Sequence, residues 1–194
     1  MPPNKAIPGA ESPPPLAANP FAEVSARGSV DYLLRNTQQH HVQLSLLADT
    51  KANIVITVAS IVMTMAMGRV NDPVLCWAAI VLIGFSLLAL LTAILAVLPK
   101  FRPPVVKGAV LPDGFNLLFF GHFASLGLPR FQHEVALRLQ SDSAIYDTVT
   151  RDIYALGSYL ATHKYPYLRL SYLFFLSGLV CAAVLQTVLF FWHR

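Results

Sequence analysis

The sequence has little charge: Asp, Glu, Lys and Arg make up only 12% of its 194 residues, whereas 55% are hydrophobic. Soluble domains carry about 25% charged residues. A chain with so little charge, whose apolar residues are bunched in runs, is typical of integral membrane proteins. We therefore predict an all-α membrane protein rather than a soluble domain.

Cysteine is also scarce, which excludes two classes of site. The two cysteines, Cys76 and Cys181, both lie within apolar runs, and no CxxC pair is present. A disulfide framework and a cysteine-based metal site are therefore excluded. No basic, aromatic-interleaved stripe is present either, so nucleic acid is not an expected partner.

The candidate acid–base side chains show no spacing that is typical of a metal or catalytic site. These residues are His122, His133, Glu134 and Asp152. We predict no enzyme activity, no metal and no cofactor.

Three apolar runs predict three transmembrane helices, since a span needs about 20 residues. They cover residues 52–70, 74–98 and 168–192. Asn71-Asp72-Pro73 predicts a tight turn between the first two.

The remaining segments are polar or mixed in composition. Residues 1–28 are rich in proline and predict a disordered tail. Residues 29–51 predict a cytoplasmic helix that leads into the membrane and is capped by Ser29 or Asp31. Residues 99–166 predict a cytoplasmic helical region that ends where Pro166 interrupts the helix.

The positive charges predict the orientation. Of the 14 Lys and Arg, all but two precede the first span, lie between the second and the third, or, like Arg169, stand at the entrance to the third. The two exceptions are Arg69 and Arg194. The positive-inside rule then places the N-terminus and residues 99–166 in the cytoplasm and the C-terminus outside.

A polar stripe runs along one face of the first span at steps of three and four residues. Two interpretations remain open. The hydroxyls bond to their own backbone and offer a close-packing face, or the stripe lines a water path or gate when several copies assemble. Gln186, the only amide deep in the third span, needs a polar partner. The gating and pore-lining candidates are Asp49, Lys51, Asn53, Thr57, Ser60, Thr64 and Gln186.

Four stretches between about Val30 and Phe191 carry a resemblance to a known family. They are Ala48-Asp49-Thr50-Lys51-Ala52-Asn53, Asn116-Leu117-Leu118-Phe119-Phe120-Gly121, Asp152-Ile153-Tyr154-Ala155-Leu156-Gly157 and Lys164-Tyr165-Pro166-Tyr167-Leu168-Arg169-Leu170-Ser171-Tyr172. In their order and spacing the sequence resembles the Pycsar effector transmembrane family.

The resemblance implies an antiphage role in bacteria. A partner cyclase makes cyclic UMP or cyclic CMP on infection, and the effector senses that messenger. It then assembles as a homo-oligomer in the inner membrane, which it spans several times, and impairs that membrane. The infected cell dies before the phage spreads, an outcome known as abortive infection.

The sequence departs from the usual cyclic-nucleotide-binding β-barrel, because it has no phosphate-binding cassette and little strand pattern. A nucleotide pocket would therefore be built from the helical middle region. Its candidate cations for a cyclic phosphate are Arg102, Lys107, Arg138 and Arg151. Its candidate aromatic residues for base stacking are Tyr146, Tyr154 and Phe131.

The alternative for each cation is a solvated or lipid-facing charge. The alternative function is a non-enzymatic membrane scaffold or channel-like subunit with a cytoplasmic docking region.

Overall fold

The structure, a computed structural model, describes residues 20–99, 106, 108, 110–112 and 114–192. These residues form helices and connecting turns and contain no strand, so the all-α prediction is confirmed. The helices are α1 (Gly28–Met67), α2 (Cys76–Val97), α3 (Phe120–Phe123), α4 (Leu128–Arg138), α5 (Asp142–Tyr159), a π turn (Leu160–Lys164) and α6 (Tyr165–Trp192). Residues 1–19 of the predicted tail lie outside the described residues.

The first helix, α1, is a single rod of 40 residues that runs from a polar half into an apolar half. No proline interrupts it and its only glycine, Gly28, is its first residue, so nothing breaks the backbone hydrogen-bond ladder at the boundary. The predicted cap is wrong: the N-cap is Arg27, without a side-chain hydrogen bond. Asp31 instead accepts a hydrogen bond from the Tyr146 hydroxyl.

The predicted turn between the first two spans is present. The Asp72 carboxylate accepts hydrogen bonds from the backbone N–H groups of Val74 and Leu75, at 2.9 and 3.2 Å. These bonds satisfy donors that precede α2 and would otherwise be unpaired.

Small side chains hold α1, α2 and α6 together. Ala52, Ala59, Ala89 and Ala93 are fully buried, and Ser171 of α6 is buried with them. In the absence of a hydrophobic driving force in lipid, small residues let helix backbones approach and gain van der Waals contact. The bundle is therefore packed by alanine at the positions where a soluble core would use leucine.

Large apolar side chains cover the outside of this bundle. Trp77, Leu87, Leu95 and Leu176 are among those exposed. Three helical stretches are long and apolar enough to cross a membrane: Gly28–Met67, Cys76–Val97 and Asp142–Trp192. The outward-facing apolar surface is what a lipid environment requires.

The predicted interruption at Pro166 is wrong, because helix continues from Asp142 to Trp192. Proline normally clashes with the carbonyl four residues earlier, here that of Thr162. The π turn lies at this point, and the Tyr165 N–H reaches back to the Leu160 carbonyl. The wider turn accommodates the proline ring without ending the helix.

Helix α5 lies beside the polar half of α1, and α4 packs on α5. Here α5 packs on α1, and Tyr146 is buried between them. Helix α5 begins at Asp142 because Ser141 is its N-cap, whose side chain accepts a hydrogen bond from the Ala144 N–H at 3.3 Å.

Candidate functional site

A polar cavity of about 250 Å³ lies between α4, α5 and the loop before α3. The loop contributes residues 111–112 and 114–117 to one wall, and the facing wall is formed by Arg138, Asp147, Thr148 and Arg151. Small-molecule pockets begin at about 300 Å³, so this cavity suits a ligand smaller than most drugs.

The cavity brings together two of the four predicted phosphate-binding cations. Arg138 comes from the last turn of α4, where its guanidinium pairs with Glu134. Arg151 comes from α5, where its Nε donates to the Asp147 carboxylate at 2.8 Å. This ion pair uses Nε and not the two terminal nitrogens of Arg151, which are the donors that suit a phosphate. The other two cations, Arg102 and Lys107, lie outside the described residues.

A buried amide on the cavity wall connects the loop to α5 and α1. The Asn116 Nδ2 donates to Asp152 at 2.8 Å, and its Oδ1 accepts from the Leu118 N–H at 2.9 Å. The other oxygen of Asp152 accepts from Gln38 of α1 at 2.6 Å. A movement of the cavity wall therefore acts directly on hydrogen bonds to α1.

A histidine completes this network on the side of α3. The His122 Nδ1 accepts from the Asn116 backbone N–H at 2.9 Å, which leaves the proton on Nε2 in the neutral ring. The ring packs against Phe115 and Phe119, with centroids 5.5 and 5.3 Å away. Burial lowers the pKa of His122 below its usual value, so the neutral form is favoured.

The predicted base-stacking residues are spread over different surroundings. Tyr146 is buried and donates to Asp31 at 3.0 Å. Tyr154 is 76% exposed. Phe131 packs against Phe123, with centroids 5.0 Å apart. Of the described residues, Phe115 is the aromatic side chain that lines the cavity.

The polar stripe of α1 faces outward from this bundle. Thr57, Ser60 and Thr64 each donate to the carbonyl four residues earlier, at 2.9, 2.7 and 2.9 Å. Their hydroxyls bond to their own backbone, as one interpretation required. Within the chain, however, α1 packs through its alanines, while Asn53, Thr57 and Thr64 are exposed.

Gln186 lies in α6 with its side-chain Oε1 buried and without a hydrogen-bond partner among the described residues. The predicted polar partner is therefore missing from this arrangement of the described helices.

At the mouth of the stripe, Asp49 makes an ion pair that sequence reasoning missed. The Lys164 Nζ lies 2.7 and 2.8 Å from the two Asp49 carboxylate oxygens and donates to the Ser45 hydroxyl at 2.9 Å. Lys164 is buried and ends the π turn. Lys51 and Asn53 are exposed beside this pair.

One signal pointed to these residues before the structure did. Asp49, Asn116, Asp152 and Lys164 each belong to a different one of the four stretches that carried the family resemblance. The structure joins them in two pairs, Asn116 with Asp152 and Asp49 with Lys164.

The described residues contain no group of three or more His, Cys, Asp or Glu side chains that is arranged to hold a metal ion. The site is therefore a cavity with two arginines, linked by partly buried polar contacts to helices that can cross a membrane. These features define the class as a multi-span helical membrane protein with a polar pocket beside its long first helix.

Residues 32–191 match the family described as the Pycsar effector protein domain. Because the match covers most of the chain, the protein belongs to this family of antiphage defence effectors. The family implies membrane association and a cyclic nucleotide signal from a partner cyclase, and it is not a known enzyme family. Comparisons with curated proteins and with solved structures found no match.

Proposed function

We propose that this protein is a membrane effector that is switched by a cyclic pyrimidine mononucleotide, cyclic UMP or cyclic CMP. On binding the messenger it assembles as a homo-oligomer in the bacterial inner membrane and impairs that membrane, which ends in abortive infection. The observation that carries the proposal is the cavity lined by Arg138 and Arg151, because Arg151 lies on the helix that continues into the bundle.

The orientation of the chain supports access of a cytosolic messenger to this cavity. Of the 14 Lys and Arg, only Arg69 and Arg194 fall on the side of the membrane opposite the cavity in the proposed topology. The positive-inside rule then puts the cavity in the cytoplasm, where a soluble cyclase product is found.

The chemistry of the cavity supports a ligand with one negative charge. Each arginine already has a carboxylate partner, Glu134 or Asp147, so the pair does not form a strong field for a polyanion. A cyclic phosphate carries a single charge and needs only one or two guanidinium contacts. Backbone groups of the loop and the Phe115 ring supply the remaining wall for a nucleoside.

The outward polar stripe of α1 supports assembly of several copies. Asn53, Thr57 and Thr64 are exposed on a helix that otherwise presents apolar side chains to lipid. Polar side chains in a transmembrane helix usually face other helices or a water-filled cavity. A second copy provides such a partner, and a ring of copies aligns the stripes along a shared path.

The decisive experiment measures nucleotide binding by the purified full-length protein in detergent. We expect cyclic UMP or cyclic CMP to raise the midpoint of thermal unfolding, because a ligand bound only by the folded state stabilises it. Cyclic AMP and linear UMP serve as comparison ligands, which test whether the base and the cyclic phosphate are recognised. Arg138→Gln and Arg151→Gln are expected to weaken binding at least about tenfold, whereas Arg35→Gln, an exposed arginine of α1, retains it.

Failure of both cyclic pyrimidines to bind the wild-type protein would contradict the proposal. It would favour the alternative function, a non-enzymatic membrane scaffold or channel-like subunit whose cytoplasmic region docks another protein. Equal binding by the Arg138, Arg151 and Arg35 variants would instead remove this cavity as the site.

A further inference from the structure

We propose that the Asp49–Lys164 ion pair is the latch that keeps the membrane helices in the resting arrangement, and that messenger binding in the cavity releases it. The inference rests on the proposed function for the signal. The latch itself is defined by contacts between α1 and the π turn: Lys164 with both Asp49 oxygens and with Ser45.

The latch lies on the same continuous helix as the cavity. Arg151 and Thr148 line the cavity from α5, and Lys164 follows Arg151 by 13 residues on the helix that runs from Asp142 to Trp192. At 1.5 Å per residue the two points are about 20 Å apart along one rod. A rotation or shift of α5 at the cavity is therefore carried to Lys164 without crossing a loop.

Apart from the Tyr146–Asp31 hydrogen bond near its start, two polar contacts pin this rod to α1. The upper one is the contact of Asp152 with Gln38, and Asp152 also holds Asn116 of the cavity wall. The lower one is the contact of Lys164 with Asp49. A ligand that draws Arg151 or the loop inward also moves Asp152, because Asp152 follows Arg151 in sequence. The same helix carries this movement to Lys164 and weakens its contact with Asp49.

The π turn makes the contact between Lys164 and Asp49 sensitive to small changes in the helix. It contains one residue more per turn than an α-helix, and each residue corresponds to about 100° of rotation. The turn ends at Lys164, two residues before Pro166, so the direction of the Lys164 side chain depends on how the turn is closed. Single π turns inside α-helices are frequent at functional sites.

The charges give the latch two distinct positions. A buried ammonium is unfavourable unless it is paired and hydrogen-bonded. Lys164 is 9% exposed in the latched arrangement and has an anion and a hydroxyl as partners. Once it leaves Asp49 it must move to water, and α6 moves with it relative to α1. The ion pair therefore stabilises the resting arrangement, and no intermediate with Lys164 buried but unpaired is stable.

The test uses dye-loaded vesicles of phosphatidylethanolamine and phosphatidylglycerol that contain the purified full-length protein, first with no nucleotide present. Asp49→Asn and Lys164→Met are expected to release dye about tenfold faster than wild type, within the range of typical coupling effects. Lys164→Arg keeps the cation and is expected to stay closed. Arg169→Gln removes an exposed positive charge of α6 and is the matched control.

Two results would overturn the latch. The first is that vesicles with Asp49→Asn or Lys164→Met release dye no faster than wild type in the absence of nucleotide. This result counts against the latch whether or not nucleotide then increases the release. The second is that Lys164→Arg leaks as fast as Lys164→Met, since the charge is then irrelevant. Binding of cyclic UMP and cyclic CMP to the same preparations is measured separately. If neither nucleotide binds, the proposed function is contradicted. The dye release of the variants without nucleotide still tests the latch independently.

Discussion

Replacing Gly178 with alanine should force α6 away from α2. A Cβ built at Gly178 would lie 2.5 Å from the Phe85 Cβ and 3.3 Å from its Cγ. The Phe85 Cβ is fixed to the α2 backbone and cannot swing aside as the end of a flexible side chain can. The two helices must therefore separate, or α6 must rotate, to admit one methyl group.

The magnitude follows from two opposing effects. Overpacking a well-packed interior by a methyl group costs about 1–3 kcal/mol, and a contact this short with a rigid atom belongs in the upper half of that range. Against this, alanine is favoured over glycine within a helix by about 1 kcal/mol. The net loss for Gly178→Ala is about 1–2 kcal/mol.

Gly84→Ala is the matched control, because it makes the same change next to Phe85 with no neighbouring atom within 4 Å. The helix-propensity gain is common to both variants, so their difference isolates the cost of the clash, about 2–3 kcal/mol. For a chain of this size that difference corresponds to roughly 5–10 °C in the unfolding midpoint.

The assay is thermal unfolding of the full-length variants in a mild detergent, followed by tryptophan fluorescence. Gly178→Ala should unfold at a lower temperature than wild type, and Gly84→Ala at the same or a higher one. If Gly178→Ala matched Gly84→Ala in its midpoint, the close approach of α2 and α6 and the packing argument built on small residues would both be wrong.

Two further predictions concern the contacts between α5 and its neighbours. Asn116→Ala leaves Asp152 short of a donor and the Leu118 N–H unpaired, which should cost about 1–3 kcal/mol; a midpoint equal to wild type would contradict this. Burial and the Asp31 carboxylate raise the pKa of Tyr146, so its stabilising effect is present below its unfolded pKa of about 10 and is lost as pH rises through the folded value. Tyr146→Phe should therefore show a shallower alkaline loss of stability, measured as the unfolding midpoint against pH, and an unchanged slope would count against it.

The helices were predictable where composition alone determines them. Long apolar runs without charge can be stable only as helices in lipid, so the three spans could be predicted before any contact was known. Asn71-Asp72-Pro73 likewise carries its own turn chemistry, and Asp72 caps the donors before α2. These features depend on residues that are close in sequence.

Two local predictions failed, one because of an unexpected π turn and the other because of a long-range hydrogen bond. Pro166 stops a helix when the preceding turn is α-helical, but a π turn removes the clash, and nothing in the local pattern indicates that turn. Asp31 is a good capping residue by type, yet its carboxylate bonds to Tyr146, which lies 115 residues away. Long-range hydrogen bonds of this kind cannot be obtained from sequence spacing.

The cavity was predictable only in part, because its walls also depend on contacts between residues that are distant in sequence. Arg138 and Arg151 were candidates because arginine suits a phosphate, and both line one cavity. Which aromatic residue joins them depends on the path of a loop, and the loop brings Phe115 rather than Tyr146 or Tyr154. Side chains on loops are positioned by tertiary contacts that leave no periodic signal.

The family stretches can be understood in terms of these contacts. Each of the four contains one polar residue that is joined to another stretch: Asn116 to Asp152, and Asp49 to Lys164. The apolar parts of the chain tolerate exchange among Leu, Ile and Val, because lipid-facing surface needs only hydrophobicity. A hydrogen bond or ion pair between two distant helices requires a particular side chain at both ends. The recognisable residues are therefore those that hold the cavity wall and the membrane helices in one arrangement.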